Sequence, residues 1–152
     1  MVSQILIDKV AESQFFGVPD WAVADALNAV DVTLSMVKTD VSTNDAKEIL
    51  LANGDWPKIT IAAEDVAIPS SLRGACIVLR DTILHTTLVR ASQASIDTQI
   101  VAVLGGLLAV GIISQASHDA LLALTNRHVS WAEHHNLYPV TARDVGLARG
   151  GI

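Results

Sequence analysis

The chain has 152 residues, of which 51% are hydrophobic, 17% charged and 4% aromatic, with ten Lys plus Arg against sixteen Asp plus Glu. Such apolar content excludes a disordered or collagen-like chain, and the length suits one domain that buries a core without disulfide or metal clips. All of the net charge of -6 lies in residues 1–75, which hold eleven acids and five bases, so no basic stripe exists and nucleic acid is not the expected partner.

In chain order, residues 2–16 carry apolar side chains at helical spacing, with Asp8, Lys9 and Glu12 between them, until Gly17 and Pro19 stop the run. Pro19 and Asp20 suit the first turn of a second helix, with Trp21, Ala24 and Leu27 on its apolar side, ending at Asn28. From Val32 to Val37 apolar and polar residues alternate, which predicts a short strand, with Lys58, Ile59, Thr60 and Ile61 as its partner or a neighbouring chain at its edge. Between them, Ser42 to Asp45 read as a helix cap and Asn53-Gly54 as the matching stop. Pro69-Ser70-Ser71 opens a long helix through Leu72, Cys76, Leu79 and Ile83. Ser95 or Asp97 is the expected cap of the next, which runs to Gly111 and contains Gly105 and Gly106, residues that suit close helix packing. Ser114 caps a further helix, and short ones follow over 130–136 and 141–149. The expectation is a mainly α fold: one compact multi-helix domain spanning 1–152, with about seven helices and at most a short two-stranded β element. Within it, an acidic part covers 1–68, and a helical core and C-terminal part covers 69–152.

The lone cysteine, Cys76, lies in an apolar run and reads as a small buried hydrophobe. The first residues lack the basic and apolar regions of a secretory signal, so export by that route is not expected. The apolar stretch 100–113 is shorter than the roughly twenty residues a membrane span needs.

The histidines are the first candidates for chemistry, since His118, His128, His134 and His135 lie close to Glu133 in sequence. Zinc ligands on a helix meet at spacings of three or four, and adjacent His134 and His135 point about 100° apart, so no metal site is expected. No phosphate loop, dinucleotide fingerprint or nucleophile elbow occurs, and the carboxylate pairs do not form an acid/base dyad by spacing. No catalytic residue, cofactor or small-molecule substrate is therefore expected. Residues 107–117 have the outline of a helix-turn-helix, but the helix after the turn offers Gln115, Ser117, His118 and Asp119 and no base before Arg127, which favours an ordinary helical hairpin. Trp21, Trp56 and Trp131 each adjoin a helix boundary, where an indole packs its body or anchors an interface.

The run from Asp20 to Ala29, D-x-x-x-A-x-x-L-N, and the ending with Ser130-Trp131-Ala132 and Asp144-Val145-Gly146-Leu147-Ala148-Arg149, S-x-A and D-V-x-x-A-R, resemble small helical proteins encoded in the structural gene modules of tailed bacteriophages. The resemblance implies a virion or phage-encoded accessory role, assembly in the host cytoplasm and no catalytic signature. The expected function is that of a non-enzymatic head, neck or tail component in an oligomeric assembly, binding other virion proteins. Its interaction candidates are Asp20, Trp21, Asp25, Trp131, His134, Arg143 and Arg149. The alternative is an intracellular phage factor that binds a host protein or, through the hairpin, nucleic acid.

Overall fold

The computed structural model describes residues 1–150 and is mainly α. In chain order it contains α1 (Gln4–Val10), a 3-10 turn (Ser13–Phe15), α2 (Asp20–Asn28), β1 (Val30–Asp31), β2 (Val37–Lys38), β3 (Val41–Ser42), α3 (Thr43–Ala52), α4 (Trp56–Glu64), α5 (Ser70–His85), β4 (Leu88–Val89), α6 (Ala94–Ala109), α7 (Gln115–Leu124), β5 (Asn126–Arg127), β6 (Val129–Ser130), α8 (Trp131–His134) and α9 (Ala142–Ala148). The strands are two residues each and make only two-stranded ladders. No described helix is long and apolar enough to cross a membrane.

Contacts divide the chain into two compact units, one formed by Met1–Val37 with the chain from His128 onward, the other by Lys38–Arg127. The discontinuous unit centres on Leu6, Val10, Val23, Leu27, Ala132 and Val145, which come from α1, α2, α8 and α9. An antiparallel ladder of β1 with β6 pairs Val30 with Ser130 and Asp31 with Val129. Asn28 adds a side-chain counterpart: its amide nitrogen donates to Val140 O at 2.7 Å and its amide oxygen accepts from Val140 N at 2.9 Å. The caps of α8 and α9 form as their residues predict, with Ser130 accepting from Glu133 N and Thr141 forming a reciprocal capping box with Asp144.

The continuous unit centres on Leu50, Ile59, Cys76, Leu104, Leu107 and Ile113. Ser42 caps α3, and Gly54, at φ +71°, follows its C-cap Asn53 in the left-handed conformation open to glycine. An antiparallel ladder of β3 with β4 pairs Val41 with Val89 and Ser42 with Leu88. The α6–α7 hairpin turns at Gly111, φ +75°, and Ser114 caps α7 through Ser117 N. Cys76 is fully buried, and burial pushes its thiol pKa up.

Several sequence expectations are corrected. Residues 32–36 form no strand; Asp31 accepts from the backbone N–H and the hydroxyl of Thr33 at 2.9 and 2.6 Å, which folds the segment into a turn and draws the Asp31 carboxyl below its usual pKa. Its supposed partner, 58–61, belongs to α4, where Ile59, Ala62 and Ala63 share one buried helical face. The helix expected over 2–16 stops at Val10, because Glu12 is extended, and resumes only as the 3-10 turn. Gln93, rather than Ser95 or Asp97, precedes α6. A Cβ on Gly105 or Gly106 would meet nothing within 4 Å, so neither glycine serves close packing inside the chain. The division drawn at 68/69 falls between α4 and α5, whose buried residues Ile59, Ala62, Cys76 and Ile83 share one core.

Candidate interaction surface

The segment between the 3-10 turn and α2 reverses direction at Gly17, φ +74°, and enters the helix through Pro19 at the N-cap, with Asp20 in the first turn. Phe15 turns inward to the core of the discontinuous unit, while its neighbour Phe16 is 71% exposed. Trp21, one residue into α2, is 64% exposed.

Arg149, the C-cap of α9, clamps this segment. Its guanidinium donates from Nη1 to Val18 O at 2.8 Å and to the Asp20 carboxylate at 2.6 Å, and from Nη2 to Phe15 O at 2.7 Å. A planar fork of donors meets two carbonyls and a carboxylate at once, which a lysine ammonium cannot match in geometry. Gly146 leaves room for the pair: a Cβ there would lie 3.0 Å from Asp20 Oδ2. Beside the clamp lies an apolar hollow lined by Ile7, Val10, Ala11, Phe15, Phe16 and Ala148.

Of the residues singled out from the sequence, Asp20 and Arg149 therefore meet each other, and their role is to brace the surface. Trp21 and Asp25 are both exposed, four residues apart on α2. Trp131 is half-buried against the core, with the Lys9 ammonium 5.8 Å from its ring centroid and the His135 ring at 4.5 Å. His134 is exposed and meets His135 edge-on, with ring centroids 5.0 Å apart. Arg143 is exposed in the first turn of α9. Phe16 was missed from sequence. Its signal is the pair Phe15-Phe16 before Gly17, since a chain that turns there can bury one ring and must expose the other.

A second polar cluster, also missed, sits in the continuous unit. Asp55, fully buried at the N-cap of α4, accepts from Ser114 N at 2.9 Å, Ser114 Oγ at 2.7 Å and the Lys58 ammonium at 3.2 Å. Burial alone would raise its pKa, but the surrounding Ser117 and Ser114 hydroxyls, the Ser114 N–H and Lys58 outweigh it and hold the carboxyl at about 2. Ser117 Oγ is buried there without a hydrogen bond of ordinary geometry, so it acts as a nearby dipole while Ser114 and Lys58 supply the bonds. With its oxygens so engaged, Asp55 serves as an anionic latch on the start of α7.

Gln115 and His118, at the start of α7, both bond to Asp119, so that helix end presents an anion where a DNA reader needs cations. Among the described residues, no group of three or more His, Cys, Asp or Glu is placed to hold a metal ion. Comparison of the chain with protein-family models, with curated proteins and with solved structures finds no match.

Proposed function

We propose that this chain is a non-enzymatic structural or interaction protein of a tailed-phage particle, which docks on another virion protein through the Phe16–Trp21 surface. One observation carries the reading: a segment braced by three Arg149 hydrogen-bond partners nevertheless holds two large aromatic rings in solvent. Exposed aromatics on a rigid support match the anchors of protein interfaces, because little side-chain or backbone freedom is lost when they are covered. The phage setting rests on the sequence words at 20–28, 130–132 and 144–149.

The test is quantitative mass spectrometry of purified, nuclease-treated particles of the source phage. A reproducible ratio of this chain to the major capsid protein is expected, and its absence would refute the virion assignment. In a parallel arm, the double variant Phe16→Ala, Trp21→Ala should enter particles at least tenfold less efficiently, since interface aromatics contribute about 1–4 kcal/mol each. Its melting curve should match the parent's. Normal incorporation of the double variant would move the contact elsewhere.

A further inference from the structure

The continuous unit contains a partly enclosed cavity of about 210 Å³, walled by Ala46 of α3, Leu79 and Ile83 of α5, Ile100 and Leu104 of α6, and Leu121 of α7. An apolar cavity of about 150 Å³ is large enough for a benzene ring, so this one fits a ring with a short substituent or a chain of about eight carbons.

Its polar groups define the ligand further. Thr43 and Thr125 line the cavity, but each hydroxyl donates to a backbone carbonyl, Thr86 O at 2.5 Å and Leu122 O at 2.7 Å. Their protons are thus committed within the fold. Thr82 and Gln99 also line it, and among the described residues their side chains have no hydrogen-bond partner, leaving a hydroxyl and an amide for one polar group of a guest. No lining residue is charged. The Lys38 ammonium lies 3.4 Å from Thr125 Oγ1 and is already paired with Asp97 at 3.1 Å. A carboxylate guest would find no charged partner in the lining.

We propose that this cavity binds a neutral, mainly apolar small molecule of about eight carbons that carries a single hydroxyl or carbonyl group. The site lies in the continuous unit, on residues that the Phe16–Trp21 surface does not use, and stands whether or not that surface docks a virion protein.

The full chain, labelled at its methyl groups, would be titrated with octan-1-ol and in parallel with sodium octanoate. Saturable shifts of the Val103, Leu104 and Leu121 methyls are expected, with intermolecular nuclear Overhauser contacts from octanol to them and at least tenfold weaker binding of octanoate. Octanoate binding as tightly as the alcohol would overturn the neutral assignment. No saturable shift up to the solubility limit, or contacts only to methyls outside the cavity wall, would overturn the site. Ala46→Leu, which fills the cavity from α3, should weaken octanol binding at least tenfold. Should that variant not fold, Val103→Phe fills it from α6, and the contacts measured on the unaltered chain decide in either case. A folded filling variant that binds octanol as the parent does would also refute the location.

Discussion

At the scale of single residues, two charged side chains hold backbone that would otherwise be unfixed. Removing the Arg149 guanidinium leaves Val18 O without its donor, Phe15 O with only the Val18 N–H at 3.2 Å, and Asp20 without its partner. Charge-assisted bonds of this kind contribute about 1.5–3 kcal/mol when buried, and the Arg149 side chain keeps 29% of its surface in water, so Arg149→Ala should cost about 1–2 kcal/mol. Arg149→Lys should recover only part, because a point charge cannot serve three acceptors in one plane. The urea midpoint at constant slope measures both. Asp55 gives a pH dependence. Its carboxyl is held at about 2, below the ordinary 3.8, so the folded state favours the ionised form. The resulting stability, about 2 kcal/mol, is fully present above pH 4 and is lost as pH falls from 4 through 2. Asp55→Asn should flatten urea stability against pH in that window. An unchanged slope would show that other carboxylates carry it. Neither role was legible in the sequence. Asp55 follows the helix stop Asn53-Gly54 with no signal of its own, and its partner Ser114 is 59 positions away. Asp20 and Arg149 stand out in the sequence as members of the two short words near its ends, and their opposite charges join them across 129 positions.

At the scale of elements, signals confined to one turn of chain were the legible ones. Ser42, Ser114, Ser130 and Thr141 each cap the helix expected of them, because a cap depends on a hydroxyl and an N–H three residues away. Periodicity misled where it was short. Lys58 to Ile61 alternate like a strand, yet Pro57 in the first turn and Ala62-Ala63 behind extend the same residues into α4 with Ile59 inward. The turn at 32–36 depends on a side chain outside the window, Asp31, which no alternation count weighs. The glycines of α6 yield an opposed pair of expectations. Gly106 is helical, exposed and without neighbours within 4 Å, so Gly106→Ala should stabilise by about 0.5–1 kcal/mol through restricting the unfolded chain. Gly111 has φ +75°, so Gly111→Ala should destabilise by about 1 kcal/mol or more despite the open space around it. Thermal melts of the two variants decide both; a loss at Gly106 would show that its bareness is needed in the isolated chain.

At the scale of the whole molecule, the fold class followed from composition and helical spacing, whereas the partition into units did not. Local pattern gives no hint that α1 and α2 find α9 while everything between 38 and 127 gathers on a different core. Charge suggested a boundary near 68, but charge describes surfaces, and the boundary is set by which apolar faces meet. The two cores share no residue, and the Arg149 and Asp55 clusters share no partner. Their effects on stability should therefore add: the loss in an Arg149→Ala, Asp55→Asn double variant should equal the sum of the single losses within about 0.5 kcal/mol. A coupling energy well above that, from a double-mutant cycle at pH 7, would show that the clusters act on one cooperative event.

The pairing of Asn28 with Val140 spans 112 residues, and it acquires a further meaning when the chain emerges from a ribosome. At roughly 5–20 residues per second, Asn28 waits about 6 to 20 seconds for its partner to be synthesised. During that interval Leu6, Val10, Val23 and Leu27, all destined for the interior, have no α9 to cover them, while the contiguous stretch 38–127 already holds everything its own core needs. Arg149, 129 positions after Asp20, fastens the segment that bears Phe16 and Trp21 only once it too has emerged.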